Sequence, residues 1–408
     1  MALHSPWPNL RHLQLFLDVV RLGAVSAAAR GAHLSQPAVT QAIAHIESYM
    51  GGALLLRTPK GPRPNSAGTD VAQRIDRALG LLREALPGAR AKDGARLRSP
   101  DALHRITTTQ LMALMQAGEH GSFAAAAARV KRSRAGVQRA VRQLEIALDM
   151  ALVDLTTGRL LLTRDGEKLA QRARLAATEI AQARAEVAQS MGRAAGHTII
   201  GAMPLARSAI VPGAVLAFAA ERSHHAVTIL DGPYETLLWA LRNGQADVLI
   251  GALRDPAPTV EVLQEHLFDD PLSIIVRAGH PLTSIRRLRT DSLTPYDWIA
   301  PPADSPLRRH FDALYGTLPA YPRSAPIECS SLEVARALLI GSERIMLLSR
   351  QQVHHALKSG ELAALPHPLG AVSRAIGLTL RRNWHPTAEQ ARLLQIIRQQ
   401  ALTAASLR

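Results

Sequence analysis

The sequence predicts a mixed fold, in which two tandem all-α domains precede an α/β domain of two lobes. Three observations support this prediction. Positive charge is concentrated in the front half of the chain, and a long stretch of that half recurs at a constant offset. From His197 onward, short β-branched runs alternate with amphipathic helical patterns, which is typical of parallel α/β units.

Length and composition limit the class of protein. A chain of 408 residues is expected to form two or three domains, and 47% hydrophobic residues suffice for their cores. No run approaches the roughly 18 uncharged apolar residues of a membrane span, and the N-terminus shows no secretory signal pattern. One cysteine, Cys329, excludes an internal disulfide framework and a multi-thiolate metal site. We therefore expect a cytoplasmic protein with no membrane partner.

The net charge of +15 is unevenly distributed. Residues 1–195 contain 27 Lys and Arg against 15 Asp and Glu, whereas the remaining residues contain 21 against 18. A basic front half joined to a nearly neutral body indicates a polyanion-binding region attached to a separate domain.

The first module, residues 8–68, contains two short helical patterns that are separated by a polar break at residues 33–35. They cover Val25–Gly31 and residues 36–49. Ser35 stands where its oxygen can cap the second helix, and Pro37 falls in the first turn, where a missing N–H is harmless. The apolar face of this second helix is formed by Val39, Ile43 and Ile46.

The opposite face of this helix is polar. A helix of this kind fits the major groove of DNA, where amide and hydroxyl side chains read base edges. Any small helical hairpin with a capped second helix is the alternative. The candidate DNA-binding residues here are Gln36, Pro37, Thr40 and Gln41.

A short strand at residues 54–57 and the basic loop TPKGPRPNSAG follow this helix. The loop predicts a wing, in which Arg57, Lys60 and Arg63 contact phosphates and supply affinity, while the helix supplies specificity. A solvated hairpin loop is equally consistent with this pattern. Residues 69–104 then predict an amphipathic helix, at 69–86, and a flexible basic linker.

The first module is repeated, because adding 98 to a position lands on its equivalent without a gap. The matched pairs include Gly23 and Gly121, Ser35 and Ser133, Glu47 and Glu145, and Gly68 and Gly166. This pattern indicates a tandem duplication, with the second module at residues 105–166.

The second module differs at the equivalent of the base-reading helix, where SQPAVTQAIAHIE becomes SRAGVQRAVRQLE. The cap at Ser133 and the apolar face persist, so the fold is expected to persist. This copy either binds DNA through phosphate charge and arginine–guanine contacts, or it is a degenerate copy that spaces or pairs subunits. The accumulation of arginine favours DNA contact, through Arg134, Gln138, Arg139 and Arg142.

The string SAAARGAHLSQPAVTQAIAHIE, followed by LLLRTPKGPRPNSAG, closely resembles the DNA-binding region of the LysR-type transcriptional regulators. PLARS, FDDPLSIIVRAGHPL and ECSSLEVARALL resemble the sugar-responsive, galactose-binding-regulator-like subgroup. The resemblance implies winged helix-turn-helix domains and a periplasmic-binding-protein-like effector domain. It also implies that the long helix at residues 167–194 pairs with a partner's helix in a homodimer or homotetramer. The usual arrangement has one DNA-binding module, so the second copy departs from the family pattern.

The third domain, residues 195–408, is expected to have one lobe at 195–267 and 372–408 and another at 268–371. Ligands bind parallel α/β folds in the crevice outside the carboxyl ends of the strands. Polar residues at those ends, and amides at a helix start, favour an effector pocket. The resemblance implies that its effector is a small molecule, which we expect to be a sugar or a small organic acid. The alternative is that the serines cap helices and the arginines are solvated. The candidates are Leu205, Arg207, Ser208, Tyr234, Arg254, Ser305, Ser330 and Ser331.

Motifs of catalysis and metal binding are absent from the sequence. There is no P-loop, nucleophile elbow, H-E-x-x-H or paired-cysteine spacing. The adjacent histidines His224-His225 and His354-His355 point apart on either kind of element. We therefore predict neither a catalytic residue nor a cofactor or metal.

These observations predict a LysR-type regulator that binds double-stranded DNA. A small-molecule effector would close the two lobes and so alter DNA bending or contact with RNA polymerase. The alternative is a ligand-binding protein whose basic front half docks a protein partner. A nucleoid-type architectural protein is a third possibility. Only DNA binding predicts an affinity that falls steeply with salt.

Overall fold

The computed structural model describes residues 7–59, 61–86, 89–90, 96–97, 100–156, 158–193, 196–319 and 324–406. The chain divides into two compact units, Met1–Gly196 and His197–Arg408. Within the described residues, no helix combines the length and hydropathy that crossing a membrane requires.

The first module begins with three helices, continues through an antiparallel hairpin and ends in a long helix. Ser35 and Asn65 cap the helices that follow them. The elements are α1 (Leu10–Leu22), α2 (Val25–Gly31), α3 (Gln36–Met50), β1 (Leu55–Thr58), β2 (Gly61–Pro64) and α4 (Ser66–Ala85).

The second module repeats this order after a short strand pair and a 3-10 turn at Pro100–Arg105. The starts of its first, third and fourth helices lie 98 residues after those of α1, α3 and α4. Each module includes a hairpin, so the all-α class predicted for these domains is corrected to a mixed one. The elements are β3 (Ala89–Arg90), β4 (Arg96–Leu97), α5 (Thr108–His120), α6 (Phe123–Val130), α7 (Arg134–Leu148), β5 (Val153–Asp154), β6 (Leu161–Leu162) and α8 (Arg164–Ser190).

A partly buried carboxylate contact anchors the start of each hairpin in the same way. Glu47 on α3 accepts hydrogen bonds from the backbone N–H of Leu54, at 2.8 Å, and of the next residue, at 3.1 Å. Glu145 on α7 makes the same two contacts, at 2.8 and 3.1 Å, with Leu152 and its neighbour. The duplicated pattern therefore ties the hairpin to the helix that precedes it in both modules.

A glycine is required where the last helix of each module passes over its hairpin. A Cβ on Gly68 would lie 2.0 Å from the carbonyl oxygen of Leu54, and one on Gly166 would lie 2.0 Å from that of Leu152. Any side chain at these positions would push the helix off the hairpin, which explains why both copies carry glycine.

Helices α4 and α8 pack against each other inside the first unit. Arg74 contacts Glu186 while Arg172 contacts Glu84, so the two helices run antiparallel. Both contribute buried apolar residues to one continuous core, in which the alanines of α8 allow close approach. The expectation that this apolar stripe of α8 pairs with a second chain is therefore corrected, because α4 of the same chain covers it.

The second unit alternates strands and helices, with 3-10 turns at Pro281–Ser284 and Thr290–Leu293. Its first elements are β7 (His197–Ala202), α9 (Pro204–Ala209), α10 (Val211–Glu221), β8 (Ala226–Leu230), α11 (Tyr234–Arg242), β9 (Val248–Ala252) and β10 (Val262–Arg277). The chain continues through β11 (Trp298–Ala300), α12 (Pro306–Tyr315), β12 (Ile327–Glu328), α13 (Leu332–Ile340), β13 (Ile345–Ser349), α14 (His354–Lys358), β14 (Leu362–Leu365), β15 (Ser373–Arg381) and α15 (Ala388–Ser406).

Strand β10 joins two lobes. Its residues up to Pro271 pair antiparallel with β15, and those from Leu272 onward pair with β13 and β14. In the first lobe β7 lies parallel between β8 and β9, and β15 lies antiparallel beside β9. In the second lobe β11 lies parallel between β12 and β13. Both sheets are mixed, because the strands that cross between lobes return antiparallel to their neighbours.

Candidate DNA-binding and effector sites

Helix α3 presents the residues predicted to read bases. Its Ser35 cap accepts a hydrogen bond from the N–H of Ala38, at 3.4 Å. The hydroxyl of Thr40 donates to the carbonyl of Gln36, at 3.0 Å. The predicted base-reading residues Gln36, Pro37, Thr40 and Gln41 are all exposed. The apolar face is buried, as the sequence predicted, and consists of Val39, Ile43 and Ile46.

Helix α7 repeats this arrangement with different outward chemistry. Ser133 accepts a hydrogen bond from the N–H of Gly136, at 3.0 Å. Its outward residues are three arginines and a glutamine, all exposed, so the face is cationic: Arg134, Gln138, Arg139 and Arg142.

The two described arginines of the first hairpin, Arg57 and Arg63, lie on opposite faces of it. Arg57 pairs with Pro62 and Arg63 with Leu56 across β1 and β2, and both arginines are exposed. Because side chains alternate across a strand, these two point to opposite faces of the hairpin. Lys60, the third predicted phosphate contact, lies outside the described residues.

A cavity of about 380 Å³ lies between the two lobes of the second unit. Ser208 is the member of the predicted effector set that lines it, and the Ser208 hydroxyl donates to the carbonyl of Leu205, at 3.1 Å. The rest of the lining comes mainly from the segment after β13 and from α14: Arg350, Gln351, His354, His355, Leu357 and Lys358.

This cavity is cationic. Arg350 and Lys358 contribute positive charge, and burial, with the charge of Lys358 nearby, lowers the pKa of His354. The sequence reasoning missed these residues because it judged His354-His355 only as metal ligands. Their position after a buried strand was the available signal.

Tyr234, Arg254 and Asp304 form a second junction between the lobes. The guanidinium carbon of Arg254 lies 4.2 Å from the centre of the Tyr234 ring, and Arg254 donates to the carbonyl of Asp304, at 3.2 Å. Tyr234 is 7% exposed, and its burial raises the pKa of the phenol. The sequence predicts that Tyr234 contacts the effector, but Arg254 of the same chain covers one face of its ring.

Two of the remaining predicted effector residues belong to the first lobe and have structural partners. Leu205 is 2% exposed in the core of that lobe. Arg207 forms an ion pair with Asp231, at 2.6 Å. Leu205 is therefore not available to a ligand, whereas Arg207 stays exposed and is paired with an exposed carboxylate.

The serines of the second lobe divide in the same way. Ser305 caps α12 through the N–H of Arg308, and Ser331 caps α13 through the N–H of Val334, each at 3.3 Å. Ser330 is exposed. Ser305 and Ser331 thus cap helices, which was the alternative to an effector role. Ser208 remains the predicted residue that reaches the cavity.

Comparisons with known proteins agree with this arrangement. The family model for the bacterial regulatory helix-turn-helix protein of the lysR family matches residues 10–69 and again 108–167. The model for the LysR substrate binding domain matches residues 191–402. The chain is 28% identical to the transcriptional regulator GalR of Pseudomonas putida, over 96% of this chain and 97% of that protein.

Two further likenesses cover most of the chain. PcaQ of Agrobacterium fabrum is 31% identical over 73% of this chain and 96% of its own length. The structure of full-length OxyR from Pseudomonas aeruginosa superposes with a TM-score of 0.54, at 20% identity, covering 72% of this chain and 93% of that one. This last likeness concerns the fold alone.

Proposed function

The chain belongs to the LysR family of DNA-binding transcriptional regulators, and from that premise we propose that both of its N-terminal modules bind operator DNA. Regulators of this family bind DNA and small-molecule effectors and form oligomers. One observation carries the proposal for two modules. Helices α3 and α7 begin at equivalent serine caps and expose polar or cationic residues opposite a buried apolar face.

The two winged helix-turn-helix modules would divide the work between affinity and specificity. Amide side chains on α3 suit base edges, whereas the arginines on α7 suit both phosphates and guanine. Most of the chain's net charge lies in residues 1–195. This distribution supports DNA contact by the whole N-terminal unit.

The effector site we propose is the cavity that Ser208 shares with the segment after β13. Two cationic side chains, Arg350 and Lys358, line it, and fixed positive charge favours an anion over a neutral molecule. Of the two classes considered from the sequence, a small organic acid therefore fits better than a sugar.

Binding of this effector would change transcription by favouring one arrangement of the lobes. The ligand must bind that arrangement better than the other, because a ligand shifts an equilibrium only through differential affinity. The resulting change would act on DNA bending or on contact with RNA polymerase. The regulator would act as a homodimer or homotetramer in the cytoplasm, where the chromosome lies.

The experiment is a selection of genomic DNA fragments on the purified protein, followed by binding measurements across a range of salt concentrations. Arg134→Ala with Arg139→Ala should lower the steepness of the salt dependence, because fewer counterions are released. Arg286→Ala with Arg287→Ala removes the same charge from exposed positions of the second lobe and serves as the matched control.

Three results would decide between the functions considered. Enrichment of a few fragments, with a salt slope that falls in the α7 variant and not in the control, supports DNA contact by both modules. An unchanged slope in both variants would leave the first module as the sole DNA contact. No enrichment at all would favour a ligand-binding protein whose basic half docks a protein partner.

A further inference from the structure

We propose that each chain binds DNA as an internal pair of unlike modules, so that its operator consists of two different adjacent half-sites. This inference rests on the proposed function, since it requires that both modules contact DNA. It goes further in assigning the pairing of the modules to one chain and a different base preference to each half-site.

A local two-fold relationship connects the modules. Arg74 on α4 donates to Gln182 on α8, at 2.6 Å, and Arg172 on α8 lies 3.5 Å from Glu84 on α4. Under the 98-residue repeat, Arg74 is equivalent to Arg172 and Glu84 is equivalent to Gln182. The two contacts are therefore the same contact seen from opposite sides. An antiparallel helix pair with an approximate two-fold axis produces this exchange.

The pairing surface is closed within one chain. Ile75 and Leu82 on α4 are fully buried, and Ile180 on α8 is 1% exposed. The charged centre is closed as well, because the side chains of Arg74 and Glu179 are 4% and 8% exposed. In a chain with a single module, the apolar face of α4 would stay exposed until a second chain covered it. In this chain, α8 of the second module covers that face.

The paired modules present different chemistry at equivalent positions. Gln36 and Gln41 on α3 correspond to Arg134 and Arg139 on α7. A glutamine side chain suits the N6 and N7 atoms of adenine, whereas arginine suits the O6 and N7 atoms of guanine. The half-site that α3 contacts should therefore require adenine, and the half-site that α7 contacts should require guanine. Because the two base preferences differ, the two half-sites should not form a palindrome.

Tethered DNA cleavage tests this assignment on the full-length protein. Cys329→Ser removes the single cysteine, and Ser48→Cys or Ile146→Cys then places one thiol on α3 or α7. These two positions are exposed equivalents, 98 residues apart, outside the proposed base-reading residues. An iron–EDTA group on the thiol cleaves the DNA that lies beside it. The DNA is a fragment from the genomic selection.

We expect the two probes to cleave different members of each adjacent pair of half-sites. If two chains assemble on a longer operator, every adjacent pair should still show one cut from each probe. A probe that cleaves both members of an adjacent pair would overturn the proposal, because two copies of one module would then be side by side.

Failure of the proposed function gives a different result. If the Ser48 probe cleaves and the Ile146 probe does not, the second module makes no DNA contact and both proposals fail. A base change completes the test. Replacing guanine by adenine in the half-site cut from Ile146 should weaken binding about tenfold or more, and an unchanged affinity would remove the assigned guanine preference.

Discussion

The guanidinium of Arg74 donates a hydrogen bond of 2.6 Å to the side-chain oxygen of Gln182 and so joins the buried faces of α4 and α8. The same guanidinium lies 3.1 Å from the carboxylate of Glu179 and 2.7 Å from that of Glu186. Buried charges are tolerated when they are paired and fully hydrogen-bonded. Arg74 therefore holds the centre of the helix pair through complementary charge as well as packing.

Replacing Arg74 should destabilise the N-terminal unit strongly. Arg74→Ala leaves Glu179 buried with Arg77 as its remaining cation, and the free energy of unfolding should fall by about 3 kcal/mol. Amide hydrogen exchange of the slowest residues in α4 and α8 measures this loss. Arg21→Ala is the control, since its ion pair with Asp76 is about half exposed and should contribute under about 1 kcal/mol. Equal losses in the two variants would contradict the role of Arg74.

The second module contains a cavity of about 350 Å³ that is lined by Ala113 and Val137, among others. The first-module equivalent of Ala113 is Leu15, which is 3% exposed. Ala113→Leu should therefore raise the free energy of unfolding by about 1 kcal/mol, and Leu15→Ala should lower it by about 2–5 kcal/mol. Thermal unfolding of the two variants provides the measurement. A destabilised Ala113→Leu would mean that the cavity is too narrow for the larger side chain.

Loss of one of the two cations from the proposed effector cavity should weaken its preference for anions, because Arg350 remains. We expect small carboxylic acids to raise the Tm of the protein and neutral sugars to leave it unchanged. Lys358→Ala should lower the affinity for those acids about tenfold or more. Ser284→Ala, which alters an exposed residue of the second lobe outside the cavity lining, should bind them as the unaltered protein does. An unchanged affinity of Lys358→Ala for those acids would place the effector site elsewhere.

The first lobe should lose stability as the pH falls below neutrality. His225 lies 2.8 Å from the hydroxyl of Thr198, and burial lowers the pKa of this histidine against the opposing charge of Glu389. The folded state therefore favours the neutral ring. Its contribution to stability is present above the unfolded pKa of about 6.5 and is lost as pH falls towards the folded pKa.

Unfolding measured between about pH 7.5 and 5.5 tests this prediction. One proton contributes at most about 1.4 kcal/mol per pH unit, and His225→Asn should reduce the slope. His224→Asn alters the exposed neighbour and should leave the slope unchanged. A slope that is the same in all three proteins would assign the pH dependence to other groups.

Local signals in the sequence were sufficient for the N-terminal helices. The helix predicted at residues 36–49 is α3, Gln36–Met50, which starts at the Ser35 cap and ends at Gly51 in the left-handed region, with φ of 86°. Both signals act within one turn of the helix end. The predicted helices at 69–86 and 167–194 began three residues late, because Asn65 and Thr163 cap α4 and α8 before those positions.

The effector residues show where local reasoning stops. Most candidates lie at the end of a strand or the start of a helix, although Ser208 lies near the end of α9. Ser305 and Ser331 nevertheless serve as caps, and Arg254 covers Tyr234. A position at a strand end predicts that a residue approaches the crevice between the lobes. It does not predict whether the side chain already has a partner within the protein.

The sequence by itself determined the family, the duplicated module and the exposed chemistry of α3 and α7, because these follow from motifs, caps, periodicity and a constant 98-residue offset. Tertiary structure alone decided what α8 packs against and which residues line the cavity between the lobes. An apolar stripe specifies that a helix must be covered, but many surfaces satisfy that requirement equally. The contacts of Arg74 with Gln182 and Glu179 select one of them, and these pairs lie 108 and 105 residues apart in the chain.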